Sequence, residues 1–330
     1  MNTRALSLVL VAMSMAGCAN FSGLDTQGQR LDANTLQAGK SLSGVTLSSA
    51  AWPTADWWKS LGDPQLDGLI QEALQNSPDM QVASARAHQA EAAAYAADAA
   101  RMPTLDASAG VSRSRLAKDQ DPLGQGDAYA TVRNIGASFN YNFDLWGGQR
   151  AAWEAALGQA RAAEVDQQAA RLTLAANVAK AYSDLGQAHI VRDLANDDLK
   201  RTRQMLDLGK RRLNSGIDSQ YQYQQTESLE ASSQSQLIDA EKQLQSAKIA
   251  LAVLLGKGPD RGGELTRPNV LKPSAVAVPS VLPAELLGRR PDLIAARWRV
   301  EAASKNIAAG KANFYPNLNL SASAGAESLL

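Results

Sequence analysis

From Leu237 to Leu254 the apolar residues alternate strictly by three and four: Leu237, Ala240, Leu244, Ala247, Leu251 and Leu254. That spacing predicts a helix with a single apolar stripe. A longer stripe precedes it. Leu174, Val178, Ala181, Leu185, Ala188, Ala195, Leu199, Leu206 and Leu213 fall on steps of three, four or their sums, interrupted by Arg192, Thr202 and Gly209. This is a heptad-like seam, as in a coiled coil. No proline lies between Gly148 and Asp207, so a helix of roughly 90 Å is allowed at about 1.5 Å per residue. Asn214-Ser215-Gly216 breaks the pattern. The two stripes predict a long antiparallel helical hairpin over about 148–255, which needs neighbours along its length for stability.

Upstream, Asp63-Pro64 fits a helix start with proline at the first position. Leu66, Leu69, Ile70, Ala73 and Leu74 follow at helical spacing. Asn76-Ser77-Pro78 ends that helix, and a second runs from about Asp79 to Ala100 with a mostly alanine face. After Pro103 the period becomes two. Leu105, Ala107, Ala109 and Val111 alternate with Asp106, Ser108, Gly110 and Ser112, which predicts a strand. Arg113–Arg133 reads as a long polar loop. A second strand follows, with Ala137, Phe139, Tyr141, Phe143 and Leu145 on one face and Ser138, Asn140, Asn142 and Asp144 on the other.

A strand of a soluble sandwich also alternates, and taken alone that is the commoner explanation. A transmembrane barrel strand needs about ten residues with one apolar and one polar face. On that reading Phe139, Tyr141, Phe143 and Leu145 face lipid, and Ser138, Asn140, Asn142 and Asp144 face a wet lumen.

The chain also repeats itself. PDMQVASARAHQAEAAAYAADAARMPTLDASA begins at Pro78, and PDLIAARWRVEAASKNIAAGKANFYPNLNLSA begins at Pro291. A constant offset of 213 residues pairs Asp79 with Asp292, Arg86 with Arg299, Pro103 with Pro316 and Ser108 with Ser321. Such a repeat dictates architecture. The first unit, 52–256, holds the β-hairpin at about 104–145 and the helical hairpin. A Gly/Pro-rich linker, 257–283, leads to a second unit, 284–330. That unit gives a short helix before Arg290, a helix to about Asn313 and the start of a strand. The first unit continues far past Ser108 and the second does not, so a chain lacking its last part is expected.

Composition narrows the chemistry. The 330 residues carry no net charge, aromatics make up 5 %, and one cysteine is present. Nothing in that balance suggests nucleic acid as a partner, and Cys18 can form no internal disulfide. Arg4 and the short apolar run Ala5–Met15 read as a secretory signal spanning 1–17. Met15-Ala16-Gly17-Cys18 resembles a bacterial lipobox, with Met in place of the usual Leu. By that resemblance Cys18 is lipidated and begins a tether, 18–51. Ala19, not Asp, follows it, which favours the outer membrane. His88 and His189 lie far apart in sequence. No second cysteine, His-Glu-x-x-His or phosphate loop is present. No enzyme and no cofactor are expected. Trp52, Trp57 and Trp58 read as anchors for the N-terminal segment.

In this order these elements resemble the TolC-like outer-membrane factor family, in its lipoprotein branch attached to RND-type efflux pumps. Three stretches carry the match: WWKSLGDPQLDGLIQEALQNSPD (Trp57–Asp79), LLGRRPDLIAARWRVEAA (Leu286–Ala303) with FYPNLNLSASAG after it, and RLNSGIDS, where Arg212, Gly216 and Ser219 fit an R-x-x-x-G-x-x-S turn. FNYNFDLWGG (Phe139–Gly148) adds support. The resemblance implies a mainly α fold with a β-hairpin: a long antiparallel periplasmic helical hairpin, and transmembrane β-strands that join a shared trimeric α/β barrel. It implies a homotrimer in outer-membrane lipid, a passive exit duct for small molecules, a periplasmic adaptor protein and an inner-membrane RND-type pump. It places Arg212, Leu213, Gly216, Ile217 and Ser219 at an adaptor-contacting tip. A simpler role for Arg212 and Ser219 is capping the helices. The sequence departs from the family at Gln222, where an acidic residue is common. Two alternatives stand beside the duct for drug efflux. One is a type I secretion exit duct; the other is a lipid-anchored periplasmic coiled-coil scaffold or adaptor.

Overall fold

A computed structural model describes residues 56–115, 129–269, 288 and 290–329. Cys18, the signal, the tether, Trp52, positions 116–128 and most of the linker lie outside the described residues. Gly288 is helical, and the rest of the short helix expected before Arg290 lies outside them too. The chain divides into two compact units. One comprises the described residues within 87–163 and 294–329; the other comprises those within 56–86 and 164–293.

In the second of these, a 3-10 turn (Trp57–Leu61) leads into helix α1, Pro64–Asn76. Asp63 starts α1 as expected: its carboxylate accepts the backbone N–H groups of Gln65 and Leu66, relieving two orphan donors of the first turn. Leu66, Leu69, Ile70 and Ala73 are buried. They join Trp58 and Leu61, then Leu174, Val178, Tyr182 and Leu185 of helix α3 (Gly148–Asn214), and Leu251 of helix α4 (Gln220–Leu254). The helix expected from Asp79 is α2, Pro78–Ala99. It begins in this unit and ends in the other.

The seam of α3 differs from expectation at three positions. Tyr182 and His189 are buried, whereas Ala181 and Ala188 beside them are only half-buried. Thr202, expected to interrupt the stripe, is 0 % exposed. Its hydroxyl donates back to the carbonyls of Asp198 and Leu199, 3.1 and 3.0 Å away, so the polar group enters the seam satisfied. On α4 the three-four alternation continues towards the turn through polar residues. Ser233 is buried, and its hydroxyl donates to Asp198 Oδ2 at 2.8 Å. Arg203 donates to Glu230 and Gln234 at 2.9 and 2.8 Å. The end of the hairpin near the turn is held by directed polar bonds rather than an apolar stripe.

His189 has a distinct environment. It is 8 % exposed, and neither ring nitrogen has a hydrogen-bond partner. Burial, then the charges of Lys248 on α4 and of Arg192 and Arg267, hold its pKa below the ordinary value; Asp193 opposes them weakly. The folded state therefore binds the proton less readily than the unfolded state. Stability contributed by neutral His189 is present above pH ~6.5 and is lost as pH falls towards the lower folded pKa. Replacing His189 with Leu should flatten the decline in melting temperature as pH drops below ~6.5. Melting followed by circular dichroism checks this, and parallel profiles for variant and parent would refute it.

In the other unit three strands form one antiparallel sheet in the order β1-β2-β3: β1 Thr104–Arg115, β2 Tyr129–Phe143 and β3 Leu318–Leu329. Both ends of the segment expected as a polar loop are strand, since β1 reaches Arg115 and β2 begins at Tyr129. Backbone pairing tolerates the arginines there. The Arg113 guanidinium lies 4.9 Å from the Tyr129 ring centroid, a cation–π contact between diagonal cross-strand neighbours.

The other end of β2 corrects two expectations. The strand stops at Phe143, so Asp144 and Leu145 lie beyond it rather than on its faces. Asp144 caps α3 instead: Oδ1 accepts the N–H of Gln149 at 3.0 Å and Oδ2 that of Arg150 at 2.8 Å. A carboxylate is stabilised there by the positive end of the helix. Single-turn helix α5, Asp260–Gly263, follows α4 in the chain, and α6 covers Pro291–Ala312. The starts of α2 and α6, at Pro78 and Pro291, and their ends, at Ala99 and Ala312, match at the 213-residue offset. Gly158 of α3 faces α6 so closely that an added Cβ would sit 3.1 Å from that of Ala302.

Candidate functional site

Two surfaces hold the residues singled out above, one in each unit. The first is the sheet. Its register aligns Phe139 of β2 with Leu105 of β1 and Ala322 of β3, Ala137 with Ala107 and Ala324, and Ile135 with Ala109 and Ala326. Tyr141 and Phe143 align with Leu320 and Leu318. All of these share one face, because residues directly opposite in a ladder point the same way. The other face carries Ser138, Asn140 and Asn142 with Asp106, Ser108, Asn319, Ser321 and Ser323. A slip of one residue would send every apolar side chain to the polar side.

The apolar face is uncovered. Leu105 is 76 % exposed, Val111 74 % and Ile135 64 %. Tyr141 and Phe143 are partly buried and pack edge to face, with ring centroids 4.8 Å apart. A contiguous exposed apolar surface of this kind marks contact with a partner or with lipid. Among the described residues, the outer edges of β1 and β3 have no strand partner.

The second surface is the turn of the helical hairpin. The structure brings Arg212, Leu213, Gly216, Ile217 and Ser219 together there. Gly216 has φ +69°. Its N–H bonds to the carbonyl of Leu213, and the N–H of Ile217 to that of Arg212, at 3.0 and 2.9 Å. This is the Schellman end of a helix, for which glycine carries no Cβ penalty. Ser219 is the N-cap of α4. Gln222 N donates to Ser219 Oγ at 3.4 Å, and Ser219 N donates to Gln222 Oε1 at 2.8 Å, completing a capping box. The departure at Gln222 thus fills the third position of that box, where Gln serves as well as Glu. Leu213 is half-buried and Ile217 is exposed.

One partner in this turn was missed in the sequence. Arg212 Nε and Nη2 donate to the two oxygens of Asp218 at 2.8 and 2.9 Å. The Arg212 guanidinium holds the Asp218 carboxyl below its usual range, and Asp218 raises Arg212 in turn. A bidentate pair of this kind fixes the plane of the arginine. The available signal was an acid set just past the glycine of a turn, next to the N-cap serine.

Among the described residues, no group of three His, Cys, Asp or Glu is placed to hold a metal, and no helix is long and apolar enough to cross a membrane.

Comparison with known proteins places these features. The family model described as outer membrane efflux protein matches residues 69–257 and 282–330. The fusaric acid resistance protein FusA of Burkholderia cepacia is 37 % identical over 327 residues, covering 98 % of this chain and 61 % of FusA. The pyoverdine export outer membrane protein OpmQ of Pseudomonas aeruginosa is 33 % identical, covering 98 % of this chain and 68 % of OpmQ. Against the multidrug resistance outer membrane protein MdtP of Escherichia coli the identity is 30 %, and 66 % of MdtP is covered. The chain therefore spans roughly two thirds of the length of these relatives. Among solved structures, the outer membrane protein VceC of Vibrio cholerae superimposes with a TM-score of 0.70 at 31 % identity, over 84 % of this chain and 71 % of VceC. The Campylobacter jejuni CmeC outer membrane channel shares the fold, with a TM-score of 0.78 at 19 % identity over 93 % of this chain and 70 % of CmeC. With a mostly helical build, a small antiparallel sheet and matches running through both repeats, the chain belongs to the outer membrane efflux protein family.

Proposed function

We propose that this chain is a subunit of an outer-membrane exit duct, working as a homotrimer with a periplasmic adaptor and an inner-membrane RND-type pump. The observation that carries this is the register of the sheet. Over the stretch from Ile135 to Phe143 and its cross-strand partners it keeps one face apolar and the opposite face polar, with Arg113, Arg115 and Arg133 on the apolar side only beyond that stretch, as a barrel wall between lipid and water requires. On this reading Phe139, Tyr141 and Phe143 face lipid, and Ser138, Asn140 and Asn142 face the lumen. The free edges of β1 and β3 are closed by further strands, since open edges are costly in lipid. Leu145 and Asp144, lying past the strand, turn the chain into α3. Cys18 carries the lipid anchor. Membership of the efflux family sets the scaffold and adaptor alternative aside.

The turn at Gly216 is the adaptor-contacting tip. Ile217 supplies an exposed apolar contact, and the Arg212–Asp218 pair a fixed, directional polar one. Arg212→Glu places like charges side by side and removes that geometry, while the turn and the capping box remain. In source cells the variant should still run as a heat-sensitive trimer in outer-membrane fractions. Tolerance to exported compounds should fall to that of a strain lacking the gene. Absence of any trimer from outer-membrane fractions of unaltered cells would overturn the duct reading. Unchanged tolerance in the variant would remove Arg212 from the adaptor contact.

A further inference from the structure

At one end of the sheet the apolar face runs into a cluster of cations. Arg133 of β2 lies opposite Val111, Arg113 of β1 opposite Thr131, and Arg115 opposite Tyr129. All three arginines therefore share the face that carries Leu105, Val111, Ile135 and Phe139, and all three are exposed. Ten residues separate Phe143 from Arg133. That is about 33 Å along a strand, and about 25 Å across a bilayer at a tilt of about 40°. The apolar band of an outer-membrane barrel has about this height, and an arginine facing lipid is costly at its middle but tolerated at its edge. Arg133 stands at that edge, with Arg113 and Arg115 beyond it. Helices α2 and α3 join the sheet at its other end, next to Thr104 and Phe143.

The carboxylates of the strands lie elsewhere. Asp106 of β1 and Glu327 of β3 belong to the polar face, and β2 has none. Arg113 and Arg133 are diagonal cross-strand neighbours, within reach of each other's long side chains, where like charges are destabilising without an anion between them. The Tyr129 ring steadies the Arg113 guanidinium, 4.9 Å from its centroid. A steadied guanidinium offers the donor fork that fits phosphate oxygens.

The internal repeat provides an independent argument. At the 213-residue offset, Arg113 and Arg115 correspond to Ala326 and Ser328 of β3. Those two lie on the same face of the sheet, so the second repeat builds the equivalent strand without cations. The arginines are not required by the fold of the strand.

We propose that Arg113 and Arg133 bind the phosphate of a lipid in the outer leaflet, a phosphorylated glycolipid whose acyl chains cover the apolar face from Val111 and Ile135 towards Phe139. Arg115 extends the same patch. The inference rests on the duct reading, which puts this face in lipid and, with the helices on the periplasmic side, puts the arginines on the outer side.

The test uses the protein extracted from outer membranes of source cells in an uncharged, phosphate-free detergent, with unboiled electrophoresis to show the trimer. Native mass spectrometry compares purified bisphosphorylated lipid A with the same lipid stripped of its phosphates. The phosphorylated lipid should bind at least about tenfold more tightly, given what charge-assisted hydrogen bonds contribute, and equimolar inorganic phosphate should not displace it. Arg113→Gln with Arg133→Gln should abolish the preference. Arg86→Gln, which removes a charge from α2, should leave it intact. Equal affinity for the two lipids would overturn the proposal, and this comparison needs no variant. An unchanged preference in a trimeric double variant would also overturn it, as would displacement by inorganic phosphate, the mark of a free-anion site. Absence of a trimer from unaltered cells would remove the duct reading and this inference with it, whereas a trimer without the preference removes this inference alone.

Discussion

Gly256→Val is expected to leave the region around the base of the helical hairpin unable to pack. Two effects add there. Gly256 has φ +69°, and a β-branched residue in that left-handed conformation costs about 1–2 kcal/mol. A Cβ at this position would also lie 2.5 Å from the carbonyl oxygen of Asn76 and 2.9 Å from its carbon. Those atoms are backbone, fixed where α1 ends against Ser77 and Pro78, and cannot swing aside. Overpacking of this kind costs about 1–3 kcal/mol more. The total, about 2–5 kcal/mol, is a large fraction of a typical folding free energy.

Gly216 supplies the control. It has the same φ and the same helix-ending hydrogen bonds, yet open space surrounds it. Gly216→Ala should cost only about 1–2 kcal/mol and should leave the melting of the base unchanged. Proteolysis and thermal melting of Gly256→Ala beside Gly216→Ala measure the difference. Equal losses would mean that the close approach to Asn76 is not the cause.

These two glycines also mark how far the sequence could be read. Each follows an apolar stripe at helical spacing, so each reads as a helix end. That one is packed against a distant backbone and the other is free depends on what lies opposite, which no local pattern records. Periodicity was legible wherever one face is uniform along an element. The Leu66–Ala73 face of α1, the Leu237–Leu254 stripe of α4 and the alternation from Leu105 and from Ala137 all lie where that rule places them. The repeat was legible because Pro78 and Pro291 both open helices of the same length. The turn at Gly216 was legible from its residues, but its ion pair was not, because Asp218 lies between two elements and belongs to neither period.

The misreadings share a cause, which is that polar side chains were ranked by hydropathy and not by partner. Asp144 fits the polar face of β2 by alternation, yet the first N–H groups of α3 claim its carboxylate. Thr202 looked like a gap in a seam, yet its hydroxyl bonds to its own helix.

Tyr182 is the largest such case and carries the second large prediction. A stripe drawn through small apolar residues passes through Ala181, while the fully buried side chain is its neighbour. Tyr182 Oη donates to Asp63 Oδ2 at 2.8 Å and accepts from Gln65 Nε2 at 2.8 Å. Gln65 Oε1 in turn accepts from the backbone N–H and the hydroxyl of Thr266, and Asp63 Oδ2 also accepts from Asn269 N at 3.3 Å. One phenol thereby ties the start of α1, the middle of α3 and the chain beyond α5. Burial, together with the Asp63 carboxylate, pushes its ionisation well above the ordinary tyrosine range, so it remains a donor across the whole physiological span.

Tyr182→Phe keeps the ring in the core and removes only the hydroxyl. It should cost about 1–3 kcal/mol, the range for losing a buried hydrogen bond to a charged acceptor. Tyr182→Ala removes the ring as well, and the cavity raises the loss to about 3–5 kcal/mol. If the network is what fixes Thr266 and Asn269, the phenylalanine variant should show faster amide exchange there while Leu66 and Leu251 keep their protection. Exchange rising equally at all four positions would show that Tyr182 acts by packing alone. The chain after α5 would then be held by the core cluster and not by its hydrogen bonds.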